Sequence, residues 1–128
     1  MRQSASTVKK LGLELGGHAP FIVFEDANLD EAVSGALLAN FYSAGEVCTN
    51  GTRVFVHRKV KDRFLDKLAQ RSAAIRLGDP MDAATQMGPL VSAAQLDKVL
   101  GYIDIAQREG ARLVTGGRRA DLNTGYFV

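Results

Sequence analysis

A single cysteine, Cys48, stands in 128 residues, so no internal disulfide can form and a reducing cytoplasm is the expected compartment. Long apolar runs are missing as well. None approaches the roughly 18 residues that a membrane helix needs, and the amino-terminal MRQSASTVKK has no apolar core of the kind a signal peptide carries. Charge of one sign is scarce: a net charge of +2 makes no field that would hold a nucleic acid or an anionic membrane. The basic residues Lys9, Lys10, Arg58, Lys59, Lys61, Arg63, Arg118 and Arg119 are scattered instead of being gathered with aromatics on one face, which reads as solvated surface. Repeats, low-complexity tracts and linkers are absent from the sequence too, and no metal-ligating cluster is expected. What is present suits one folded unit over residues 1–128. Apolar residues at 46% and charged residues at 23% are ordinary globular values, enough to fill a single core and too apolar for general disorder.

Residues 1–10 are polar and are expected to fray. LGLEL (11–15) alternates weakly as a short strand, broken by Gly16 and Gly17. PFIVF (20–24) is a continuous apolar run with aromatic and β-branched residues, as in a strand covered on both faces. Asn28 and Glu31 then have capping-box spacing, and Leu29, Val33, Ala36, Leu37 and Phe41 recur at helical intervals up to a stop at Gly45. TRVFVH (52–57) alternates as a strand. A second helix is predicted over residues 60–77, with Val60, Phe64, Leu68 and Ile75 on one face and Gly78 as its cap. GDPMDAATQMGPLV reads as a loop. Ser92 and Gln95 open a third helix whose buried stripe is Leu96, Val99, Leu100 and Ile103, ended by Gly110, and ARLVTGG (111–117) reads as one more strand and a turn. The alternation predicts an α/β fold: three layers, with a mostly parallel sheet flanked by helices.

Two places carry chemistry. A lone intracellular cysteine is most often a small buried hydrophobe. Cys48, however, sits in FYSAGEVCTNGTR (41–53), where a helix gives way to a glycine and a loop. Thr49, Asn50 and Gly51 are small polar residues that would let a substrate approach, and the N–H groups of such a turn suit a developing oxyanion. The second place is Glu14, an acid within the apolar LGLELGG. Strand alternation would point it into solvent. The functional alternative is a general base whose pKa is raised by burial, with Gly16 and Gly17 admitting a ligand close to the backbone.

LELGGHAP (13–20) and FYSAGEVCTNGTR (41–53) resemble the two active-site signatures of the aldehyde dehydrogenase superfamily, in the family's order and at its usual separation. The resemblance continues through FEDANLDEAV, IRLGDPMD, TQMGPLVS and GYI to the final TGYFV, and so covers nearly everything from Lys10 onward. CTNGTRVFV and GDPMDAATQMGPLVSAAQ look most like betaine aldehyde dehydrogenases, whereas LELGGHAPFIVF looks more like succinate-semialdehyde dehydrogenases. His18 stands where the family more often has Lys or Asn.

The resemblance implies that Cys48 is a nucleophile that forms a thiohemiacetal and then a thioester, with NAD or NADP as cofactor and Glu14 as the base for hydrolysis. By motif position, Leu15 and Gly16 would line the cofactor site, Glu46 would shape the loop and Arg53 would hydrogen-bond it. His18 and His57 are expected to be structural or surface residues. Residues 1–17 would correspond to the end of the cofactor-domain segment and the remainder to the front of the catalytic domain. The family's upstream asparagine donor, its pyrophosphate turn and its downstream ribose-binding glutamate have no counterpart here, so weak or absent cofactor binding is expected. Two readings follow. One is a fragment of an NAD(P)-dependent aldehyde dehydrogenase acting on a small aldehyde, betaine aldehyde first. The other is a catalytically incompetent α/β module that self-associates or binds a partner, a homo-oligomer being the expected form.

Overall fold

Helix signals and strand signals fare differently in the structure, a computed structural model that describes residues 2–122 and 124–128, the side chain of Gln3 excepted. The element order is α1 (Arg2–Ala5), β1 (Pro20–Val23), α2 (Leu29–Phe41), β2 (Arg53–Val56), α3 (Lys61–Ala73) and α4 (Ala93–Arg108). The predicted α/β class is observed, as a parallel pair of strands with helices packed against it.

Each long helix with a sequence cap begins where that cap predicts. The Asn28 side chain accepts from the Asp30 and Glu31 N–H groups at the start of α2, and Asp30 and Glu31 place negative charge at that helix's positive end. Ser92 Oγ accepts from the Gln95 N–H at the start of α4. Helix α3 has no side-chain cap, and it stops at Ala73, short of the predicted residue 77. Beyond it Leu77 instead forms an isolated parallel bridge with Met87, so Ile75 leaves the predicted helical face.

Strands β1 and β2 pair in parallel with Pro20 opposite Arg53 and Val23 opposite Val56. Phe21, Val23, Val54 and Val56 turn towards α2 and α3, where Leu29, Val33, Ala36, Val60 and Phe64 complete the core. The opposite face is bare: Ile22 is 59% and Phe55 54% exposed. PFIVF is therefore covered on one side only, contrary to the expectation from its unbroken apolar run.

Two further strand predictions fail. Residues 11–15 and 111–117 form no strand, and Leu11, Leu13, Leu15, Leu113 and Val114 are exposed. A strand is completed by the ladder of its neighbour, and neither segment finds one among the described residues. The expected fraying of residues 1–10 gives way to the short helix α1 over Arg2–Ala5, with Met1 outside the described residues.

Helices α2 and α3 are also clamped at the surface. Lys67 Nζ lies 2.6 Å from Asp30 Oδ1, and an Arg71 N–H donates to the Asp30 carbonyl at 3.2 Å and to Ser34 Oγ at 2.9 Å. The hydrogen bond and charge of Lys67, aided by the charge of Arg71, hold the Asp30 carboxyl below its ordinary range.

Phe64, 1% exposed, is a keystone of this core. Phe64→Ala is expected to cost about 3–5 kcal/mol, a large share of a small domain's stability, read as a shifted urea midpoint. Because the folded-state pKa of Asp30 is depressed, its stabilising contribution is present above the ordinary carboxylate pKa and is lost as pH falls through the folded value. Asp30→Asn should therefore melt below wild type at neutral pH, and the gap should close as pH is lowered through and below about 4.

Candidate active site

Parallel pairing places the residues that lead into β1 beside those that lead into β2. Glu14 to Ala19 precede Pro20, and Cys48 to Thr52 precede Arg53, its partner in register. The two segments meet at Gly17. A Cβ on Gly17 would collide with the Cys48 carbonyl oxygen, so only glycine permits this approach.

Arg53 ties the same junction. Its Nε and one terminal N–H donate to the His18 carbonyl at 3.1 and 2.8 Å, and its backbone N–H donates to the Ala19 carbonyl at 3.4 Å. The His18 ring Nδ1 lies 3.3 Å from Thr52 Oγ1. Arg53 thus bonds the glutamate loop, across the junction, which agrees with its expected structural part. His18 is also a structural contact, on the chain's surface.

The approach to Cys48 is conformationally costly. After α2, Ser43 and Ala44 adopt left-handed backbone (φ 51° and 53°), and Gly45 follows at φ 81°. A left-handed conformation costs a non-glycine residue about 1–2 kcal/mol. The predicted stop at Gly45 is realised as the last residue of this turn, while α2 itself ends at Phe41. The Asn50 N–H then donates to the Val47 carbonyl at 3.0 Å, closing a turn with Cys48 and Thr49 at its centre.

Cys48 is a free, exposed thiol, not the buried hydrophobe that a lone cysteine most often is. Glu14 is exposed as well, so the burial expected of a general base there is not present in this chain. Leu15 and Gly16 lie in the same open loop, and a Cβ on Gly16 would meet nothing within 4 Å. Thr49 is exposed, but Asn50 and Gly51 are buried and do not line an approach path as expected. A cleft of about 930 Å³ passes Asn40, Phe41, Ala44, Gly117 and Phe127 without reaching Cys48 or Glu14. No group of three or more metal-ligating side chains occurs among the described residues, and no helix there is long and apolar enough to cross a membrane.

Sequence reasoning did not assign Gly17 its contact with Cys48; the double glycine was the available signal. Gly17→Ala is expected to push the two loops apart at a cost of about 1–3 kcal/mol. Thermal melting would show the loss, and a changed rate of Cys48 alkylation would show that the thiol's surroundings moved with it.

Known proteins share this sequence and fold. The aldehyde dehydrogenase family model matches residues 1–128. A betaine aldehyde dehydrogenase of Sinorhizobium fredii is 61% identical over 114 residues, covering 89% of this chain and 23% of the relative. One from Brucella ovis is 52% identical over 131 residues, covering 100% of this chain and 27% of the relative. Among solved structures, the NAD+ complex of a Bacillus cereus aldehyde dehydrogenase superposes with TM-score 0.93 at 47% identity, over 99% of this chain and 26% of that one. A Staphylococcus aureus betaine aldehyde dehydrogenase double mutant, in complex with NAD+ and with a BME-modified cysteine, superposes with TM-score 0.90 at 38% identity, over 98% and 26%. The chain spans about a quarter of the length of these relatives. With its full length matched by the family model and 99% of it superposed on a solved member, the chain belongs to the aldehyde dehydrogenase family.

Proposed function

We propose that this chain carries the nucleophile and the general base of an NAD(P)-dependent aldehyde dehydrogenase acting on a small aldehyde, with betaine aldehyde the favoured substrate. The observation that carries this reading is the junction itself: Gly17, three residues after Glu14, lies against the carbonyl of Cys48. The names of relatives at 52–61% identity support the choice of substrate. The BME-modified cysteine of the Staphylococcus relative supports an accessible, reactive thiol in proteins of this kind.

In this reading the Cys48 thiolate adds to the aldehyde carbon, a C–S bond forms, and the carbonyl electron pair moves onto oxygen. The Cys48 N–H has no protein acceptor among the described residues, which leaves it available to that oxyanion. Leu15 and Gly16 lie in an open, exposed stretch of loop, and these are the residues that would hold NAD or NADP. When bound, the dinucleotide supplies the hydride acceptor that the oxidation needs. Glu14 takes a proton from water as the water oxygen attacks the thioester carbon, and the Cys48 sulfur departs as thiolate, releasing the acid. Residues 1–17 act as the end of the cofactor-domain segment, and the rest as the front of the catalytic domain.

A second reading rests on the bare sheet face of Ile22 and Phe55: an α/β module without catalysis that pairs with itself or a partner through that face, as a homo-oligomer. One experiment separates the two. Treated with p-nitrophenyl acetate, the chain should gain one acetyl group, located by peptide mass at Cys48 and absent from Cys48→Ala. Glu14→Gln should acylate and then lose the acetyl group about 100-fold more slowly, or slower still. An intact fold with no adduct would favour the module. Equal deacylation in Glu14→Gln would remove Glu14 from the role of base.

A further inference from the structure

The cleft that misses Cys48 and Glu14 has no place in the proposed reaction, and its lining is of two kinds. Its volume of about 930 Å³ is within the roughly 300–1,000 Å³ usual for a small-molecule site. The walls are apolar: Phe41 at the end of α2, Ile75 and Leu77 beyond α3, Val99 and Ile103 of α4, and Phe127. Residues 115–119, TGGRR, complete the lining and differ from the rest.

That segment is rich in donors that nothing uses. Gly116 and Gly117 have φ of 66° and 70°, a left-handed backbone that glycine adopts freely. Gly117 is seated against α4, since a Cβ there would come 2.7 Å from Leu113 Cδ1 and 3.4 Å from Ile103 Cγ2. None of the five N–H groups of residues 115–119 finds an acceptor among the described residues. The guanidinium groups of Arg118 and Arg119 are equally unengaged. Neither makes a hydrogen bond or an ion pair among the described residues, although the acid Asp121 and the last residue, Val128, line the same cleft.

Two guanidinium forks beside unbonded N–H groups match the acceptor oxygens of a carboxylate or a phosphate. The apolar walls match a chain attached to that anion. A cation would face two like charges, and a neutral apolar molecule would leave the donors unused. We infer that the cleft binds an amphipathic anion, a carboxylate or a phosphate ester on an apolar chain. Arg118, Arg119 and the N–H groups of residues 115–119 hold its head, and its chain lies along Phe41, Ile103 and Phe127. This site stands apart from the proposed function, because neither Cys48 nor Glu14 lines it.

Calorimetric titration of the full chain tests the inference, with dodecanoate, dodecyl phosphate and dodecyltrimethylammonium each kept below the micelle concentration. Dodecanoate, dodecyl phosphate or both should saturate a single site, and the cation should bind at least about tenfold more weakly. The tighter of the two anions names the head group. Arg118 and Arg119 are exposed and bonded to nothing, so the double variant Arg118→Gln, Arg119→Gln should keep its melting temperature. It should weaken the anion by about tenfold or more, as expected when charge-assisted hydrogen bonds are lost. Ser72→Phe, which adds bulk inside the cleft from α3, should weaken it as well. Phe55→Ser, on the bare sheet face, should change nothing. Absence of saturable binding would overturn the inference, as would equal affinity for the cation or unaltered binding in the arginine variant. Binding lost in Phe55→Ser would place the anion's chain on the sheet and overturn it too. If Ser72→Phe does not fold, the arginine variant decides.

Discussion

Four parallel pairs between β1 and β2 are the constraint on which the rest depends. Antiparallel strands would send the segments before them to opposite ends of the sheet. Parallel strands in this register bring both preceding segments to one end, and those segments are the glutamate loop and the cysteine turn. The contact of Gly17 with the Cys48 carbonyl and the Arg53 bonds to His18 are consequences of that alignment. The pairing is itself held by the core beneath it, where Val33 and Phe64 are almost wholly removed from water. Burial of that apolar surface is the main driving force, and the short ladder alone would be marginal.

Around this junction the chain departs from its locally preferred choices in a cluster. Ser43 and Ala44 take left-handed backbone, and Asn50 buries an amide without a partner. All lie within the short stretch from the end of α2 to the start of β2, with Cys48 between them. Val8 is a further left-handed residue, outside that stretch (φ 48°), while the caps at Asn28 and Ser92, the buried stripe on α2 and the ion pair between α2 and α3 agree with the fold. Two left-handed residues and an unpaired buried amide thus flank an exposed thiol.

The sheet's second face has a different origin. Ile22 and Phe55 face away from the helices, and Leu11, Leu13 and Leu15 are exposed in a loop of strand-like composition. Apolar surface of this kind is ordinarily covered in a folded assembly. The chain spans about a quarter of the length of its relatives.

Local signals were legible in the amino-acid order and long-range ones were not. The starts of α2 and α4 were readable because a cap is a bond between residues two or three apart. Cys48 and Glu14 could be named as candidates by residue type and setting, and the family could be read from two motifs in register. The extent of the sheet was not readable: LGLEL and ARLVTGG have strand composition, but a strand exists only in a pair, and composition does not report the partner. The exposure of Glu14, the burial of Asn50 and the meeting of Gly17 with Cys48 likewise depend on residues more than thirty positions apart or on how loops pack over the core. Short-range hydrogen bonds and hydrophobic periodicity belong to the sequence by itself. Which loops touch, which polar atom is stranded and which apolar face stays bare were decided only when β1 and β2 paired, since each follows from contacts between segments that the order of residues leaves far apart.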